Sequence, residues 1–197
     1  MKFIKIFMLL LGSFALNLCN AQEDPCTQKG SSKSKSFQYR DSLKNRNIIG
    51  VSQNVLLSDI LADGDDRKRF SQTQFVTVTG YVMYIAPGGP EARNCNTKDP
   101  KKWDVHIFIG VDNINKSKSN MMVVELTPYS YKINNLWHSS DFQKSLIGKK
   151  VTITGWLFWD YSHFRNASNT VKFSKNPGTI WRKTCWEIHP ITNLVIN

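Results

Sequence analysis

The strongest constraint on the fold is a pair of strand-like stretches, residues 75–85 and 150–159, each carrying a glycine near its centre, Gly80 and Gly155. The first is rich in Val, Thr and Tyr, which suit strands. An interior glycine marks a bulge or sharp bend, as a small barrel needs at a corner. Residues 103–111 and 121–127 read as two further strands, and residues 181–196 as another, with a break expected at Pro190. Between the third and fourth strands, Leu136, Trp137, Phe142 and Leu146 have helical spacing over residues 129–147, and Gly148 fits as the stop.

The order is therefore strand, strand, strand, helix, strand, strand. This is the pattern of an all-β domain with one or two short helices: a five-stranded OB-fold-like Greek-key barrel spanning residues 75–197. Two long loops, residues 86–102 and 160–180, follow the first and fourth strands. Ahead of the barrel, residues 37–74 read as an N-terminal extension. Within it, residues 37–49 hold a short helix or an arm packed on the barrel. Leu56, Leu57, Ile60 and Leu61 form a helical stripe within residues 55–70, broken by Asp63-Gly64-Asp65-Asp66. That acidic loop lacks the alternating ligand series of an EF-hand and reads as a solvated turn. Residues 22–36 are polar, rich in Ser and Lys, and read as a disordered tether.

Residues 1–21 read as a secretory signal peptide: Lys2 and Lys5, an uncharged apolar run over residues 7–18, then small Ala21 at the cleavage point. Leu16-Asn17-Leu18-Cys19 raises the alternative of a lipoprotein anchored at Cys19, which Leu18 suits poorly because that position wants a small side chain. The expected location is periplasmic or extracellular. Later stretches are too short or too polar to span a bilayer. Of four cysteines, Cys26, Cys95 and Cys185 remain after the leader. An oxidising compartment permits one disulfide among them. Spacing does not choose the pair. The loop-like surroundings of Cys26 and Cys95 favour their bond, with Cys185 left as a buried thiol in a strand.

Alternation assigns the strand faces. Val105, Ile107 and Ile109 oppose Asp104, His106 and Phe108. Met122, Val124 and Leu126 oppose Val123, Glu125 and Thr127. Trp186 and Ile188 oppose Glu187 and His189. In the OB strand order (1-2-3-5-4, closing on 1), Asp104, His106, Glu125, Glu187 and His189 then converge on the outer face of strands 2, 3 and 5, where OB domains hold ligands. His106, Glu125, Glu187 and His189 suit a divalent metal or a general acid–base pair. They equally suit a hydrogen-bonded network. Trp156 and Phe158, followed by Tyr161, His163, Phe164 and Arg165, add an aromatic and basic surface able to stack bases or sugars. The alternative is that these rings cover the barrel end or the N-terminal arm.

The chain holds 26 Lys plus Arg against 15 Asp plus Glu, a net charge of +11. That balance favours anionic partners, although the lysines form no single run. Hydrolase elbow, P-loop, dinucleotide fingerprint and HExxH motifs are all absent from the sequence, and Asn115 and Asn166 begin glycosylation sequons that matter only in a eukaryotic secretory pathway.

Several motifs together resemble a group of poorly characterised secreted bacterial OB-fold-like proteins. They are Leu43-Lys44-Asn45-Arg46, Gly64-Asp65-Asp66, Thr79-Gly80-Tyr81-Val82, Gly88-Gly89 with Cys95, Asp104-Val105-His106-Ile107, Glu125-Leu126-Thr127-Pro128, Thr154-Gly155-Trp156-Leu157 and, most specific, Trp186-Glu187-Ile188-His189-Pro190. The resemblance covers most of residues 43–197. It implies an OB-like fold and export, and brings no activity. Cys185 departs from the small residue the pattern would have there, which adds support for Cys26–Cys95. Three roles follow as expectations. The first is an exported binding protein for an anionic oligomer, glycan or protein, held by Asp104, His106, Glu125, Trp156, Phe158, Glu187 and His189. The second is a metal-assisted hydrolase or phosphodiesterase using His106, Glu125, Glu187 and His189, with a divalent metal as cofactor. The third is a structural envelope protein.

Overall fold

In the computed structural model, which describes residue 26, residues 29–47 and residues 50–197, the longest strand pairs on both sides. The leader and lipidation readings for residues 1–21 and Cys19, part of the tether, and Ile48 and Ile49 of the arm lie outside the described residues.

That long strand is β2 (Phe75–Pro87). Its first half pairs antiparallel with β5 (Lys150–Trp159), from Phe75 opposite Trp156 to Tyr81 opposite Lys150. Its second half pairs with β3 (Val105–Gly110), from Tyr81 opposite Gly110 onward. The handover falls beside Gly80. A Cβ there would meet a Leu57 methyl at 2.6 Å and the Gly110 carbonyl at 3.0 Å, so the bend needs glycine. Next come β4 (Met122–Leu126) and β6 (Trp186–Ile196), the latter parallel to β4 and antiparallel to β5. The barrel order β2-β3-β4-β6-β5, closed by β2–β5, is the expected OB order. A two-residue strand, β1 (Gln53–Asn54), adds in parallel beside β2.

Alternate residues of all five barrel strands fill one core. Val76, Val78 and Val82 meet Ile107, Ile109, Val124, Val151, Ile153, Leu157, Ile188 and Ile191. Burying each such side chain stabilises the fold by about 1.5–3 kcal/mol. Trp186 joins them, edge-on to Phe70 at 5.9 Å and to Trp159 at 5.1 Å. Its indole N–H donates to the Asp66 carbonyl at 2.8 Å, so the acidic turn anchors the core through buried Asp66.

Three expectations are corrected. The helix over residues 129–147 is two: α3 (Pro128–Ile133) and α4 (Ser140–Leu146), with a 3₁₀ turn at Asn135–His138 between them. Pro128 starts α3 under a Thr127 capping box, and Ser139 starts α4 afresh. Trp137 and Leu146 still reach the barrel core, which is why the apolar spacing read as one helix. The helical stripe before β2 yields one turn, α2 (Leu57–Ile60), because Gly64 reverses the chain at φ +102°. The last strand is not broken at Pro190. It runs on through a cis His189–Pro190 bond, and β5 accommodates the register change around Gly155.

Ahead of the barrel, α1 (Lys35–Lys44) lies against the sheet with charged residues as its buried side: Asp41 and Lys44. Cys26 bonds to Cys95, as expected, and joins the segment before α1 to the loop after β2. Cys185 is free and buried, and burial pushes its thiol up to about 12. Among the described residues, no helix is long and apolar enough to cross a membrane.

Candidate functional site: a buried ionic cluster beneath a cleft

The ladder sets His106 of β3 opposite Glu125 of β4, and Val123 of β4 beside Glu187 of β6. Two residues on, His189 faces the same way, and Asp104 precedes β3. The His106 Nε2 to Glu125 Oε1 distance is 3.3 Å. His189 Nδ1 lies 2.9 Å from Glu125 Oε2 and 3.6 Å from Glu187 Oε2, and its Nε2 lies 3.9 Å from Asp104 Oδ2. All five polar residues expected on this face are thus brought together. Phe158 joins them, fully buried and edge-on to His189 at 5.7 Å. Trp156 does not. It packs on Phe75 at 5.0 Å under the Arg46 guanidinium, and its indole N–H donates to the Asn47 carbonyl.

The face is outside the barrel, yet it is not open to solvent. Asp104, Glu187 and His189 are 0% exposed and Glu125 is 2% exposed. Carboxylates in such surroundings need cations, and four arrive from outside the strands. Arg93, from the loop after β2, grips Asp104. Arg182, from the segment before β6, binds Glu187 at 2.6 Å and donates to the Thr184 carbonyl at 2.7 Å. Arg40 and Lys44 of α1 reach Asp160, at 2.7 and 3.4 Å, and lie over the Phe158 ring. Sequence reasoning missed all four as site residues, together with Asp160 and the placement of His163 against it at 4.0 Å. The one available signal was three carboxylates on a single sheet face with no Lys or Arg among those strand positions.

Electrostatics follow from this layout. Burial alone would raise Glu125, but His189, His106 and Lys44 hold it well below the ordinary carboxylate range. Asp160 is likewise lowered against its burial, by Lys44 and His163. Burial would lower Lys44, yet Asp160 and Glu125 raise it instead. Burial, aided by Arg182, lowers His163.

A pH dependence results. Glu125 and Asp160 have folded-state values below their ordinary 4.5 and 3.8. Their stabilisation is therefore complete above those values and lost as pH falls through the folded-state ones. His163, depressed below its ordinary 6.5, acts with the same sign at higher pH. Asp41, raised by burial, opposes them. Thermal midpoints are expected to be level from about pH 6.5 to about pH 9, to fall above that because Cys185 and Lys44 are raised, to ease downward below about pH 6.5, and to fall steeply once the carboxylates protonate. Glu125→Gln flattens the steep limb. A midpoint that rises as pH falls below about 4, within the ordinary carboxylate range, would contradict these assignments.

A cleft of about 340 Å³ opens beside the cluster. Its walls are α1, residues 88–93, the start of the loop after β5, and His106 and Glu125 on the sheet. Across Ser162 it adjoins a second hollow lined by Tyr161, Phe164, Arg165, Phe173 and Lys175.

No protein-family model and no curated protein matches this chain. Among solved structures it is similar to asparaginyl-tRNA synthetase of Entamoeba histolytica in complex with asparaginyl-adenylate, at TM-score 0.35 and 17% identity over 75% of this chain. The match covers 24% of the synthetase chain, so this chain spans about a quarter of that protein's length. The likeness bears on neither site nor ligand.

Proposed function

We propose that the protein is an exported OB-like binding protein that holds an anionic oligomer in the cleft over β3 and β4. The position of the cleft carries this reading. It lies between the loop after β2 and the loop after β5, the two loops that OB barrels use for oligonucleotides and oligosaccharides. Arg40, Lys44, His106 and His163 stand in its wall. The net charge of +11 supports an anionic partner. The adjoining hollow offers rings and cations side by side, with Tyr161 63% exposed and Phe173 41% exposed, which suits stacked bases or sugars. Export is supported by the leader reading of residues 1–21 and by the Cys26–Cys95 bond, which belongs in an oxidising compartment.

The test is fluorescence anisotropy with labelled single-stranded DNA and, separately, a labelled sulfated glycan. Binding to one of them is expected, weakening steeply between about 50 and 200 mM salt. Phe164→Ala is expected to weaken it by about 1–3 kcal/mol, the usual worth of one stacked ring. Neither probe binding, together with capture of a protein partner, would instead favour a structural role in the envelope.

A further inference from the structure

We infer that Asp104, Glu125 and His189 form a divalent-cation site at the floor of the cleft. The inference stands on the polar atoms of the cluster and does not depend on an oligomer binding above it. Asp104 Oδ2, Glu187 Oε2 and both ring nitrogens of His189 have no hydrogen-bond partner among the described residues. His189 Nδ1 nevertheless lies 2.9 Å from Glu125 Oε2, close enough to pair with it, so the nitrogen left wholly unmatched is Nε2, 3.9 Å from Asp104 Oδ2. Each unpaired buried group of this kind costs about 1–3 kcal/mol, and charged groups cost more.

These atoms gather around the His189 ring, Glu125 and Glu187 beside Nδ1 and Asp104 beside Nε2. Arg93 takes Asp104 Oδ1 and Arg182 takes Glu187 Oε1, and the second oxygen of each carboxylate turns toward His189. A neutral imidazole has one donor nitrogen and one acceptor nitrogen. With carboxylates on both sides, the acceptor nitrogen of His189 faces another acceptor. A cation shared by that nitrogen and the carboxylates removes the conflict. One ligand atom from each of Asp104, Glu125 and His189 lies within 4.8 Å of the others. Small side-chain rotations close such a triangle onto an ion with bonds of about 2.0–2.2 Å.

The donor set differs from the sequence expectation, which grouped His106, Glu125, Glu187 and His189. Glu187 falls outside the Asp104–Glu125–His189 triangle, and His106 instead orients Glu125 from outside. Two carboxylate oxygens and one imidazole suit zinc or manganese better than calcium, which prefers oxygen alone. Glu125 also lines the cleft, which gives the ion a way in. A neighbouring group, Asp160, His163 and Glu187, has similar spacing, but Arg40 and Lys44 already neutralise Asp160.

The competing account is a doubly protonated His189 that donates to both sides and needs no ion. Calorimetric titration of chelator-treated protein with zinc and with manganese separates the two, with thermal unfolding in the presence of each metal as a second readout. Saturable binding and a raised midpoint are expected. Asp104→Asn and Glu125→Gln, each shown to be folded by circular dichroism, should weaken binding by about tenfold or more. His163→Ala should bind as the parent does. The absence of saturable binding, binding unchanged in both variants, or binding abolished by His163→Ala would each overturn the site. Should the two variants not fold, the parent titration decides alone. Because the metal is the only ligand added, failure of oligomer binding leaves this result readable by itself.

Discussion

Arg182→Ala lowers the unfolding free energy by about 3–5 kcal/mol, the cost of leaving a buried charge without its partner. Arg182 and Glu187 are both 0% exposed, and their 2.6 Å contact gives Glu187 its cation. The substitution strands that carboxylate beside Asp104, Glu125 and Asp160. A domain of this size holds only about 5–15 kcal/mol in total, so the variant is marginal. Urea unfolding followed by tryptophan emission measures the loss. Adding Glu187→Gln to Arg182→Ala recovers part of it, because the stranded charge is gone. Arg40→Ala makes the contrast. The Arg40 side chain is 27% exposed, and Asp160 keeps Lys44 and Ser162. That change costs about 1 kcal/mol or less, as surface pairs do. Equal losses from the two arginines would mean that the cluster is hydrated.

Gly155→Ala is expected to cost more than about 4 kcal/mol, in the range of substitutions that force backbone apart. A Cβ at this position would sit 2.3 Å from the Pro190 carbonyl oxygen and 2.4 Å from an Ile188 methyl. Neither neighbour is a free side-chain end. The carbonyl belongs to β6 at the point where the β5–β6 register shifts. Relief requires moving β6, which carries Glu187 and His189, so the variant also disturbs the cluster. Gly89→Ala is the control. Nothing lies within 4 Å of its added methyl, and the change stays within about 0.5 kcal/mol. Thermal melts of the two variants side by side decide the matter. Similar midpoints would show that β6 yields at little cost.

The strand faces were legible because the period of two is local geometry. Ile107, Val124 and Ile188 point inward and His106, Glu125 and Glu187 outward, as the alternation requires, and the His106–Glu125 register follows from the barrel order. The cations were not legible. Arg93 sits in a single 3₁₀ turn (Ala92–Asn94) and Arg182 in an irregular segment, and tertiary contacts set the positions of both. Lys44 lies on a helix that buries charge, so no apolar stripe announced which side meets the barrel. Trp156 was grouped with the site as a stacking ring beside basic groups, but it packs against the chain after α1, the alternative given for such rings.

The place of β6 in the topology also shapes how the chain acquires its structure. It is the last barrel strand in sequence, and it is the wall shared by β4 and β5. Until it arrives, β4 and β5 each present an unpaired edge, and Asp104 and Glu125 lack the imidazole between them. A growing chain with four strands made is therefore an open sheet with sticky edges, the form most prone to wrong pairing. Closure depends on contacts distant in sequence, which slows it. Barrel closure therefore waits on residues 186–196.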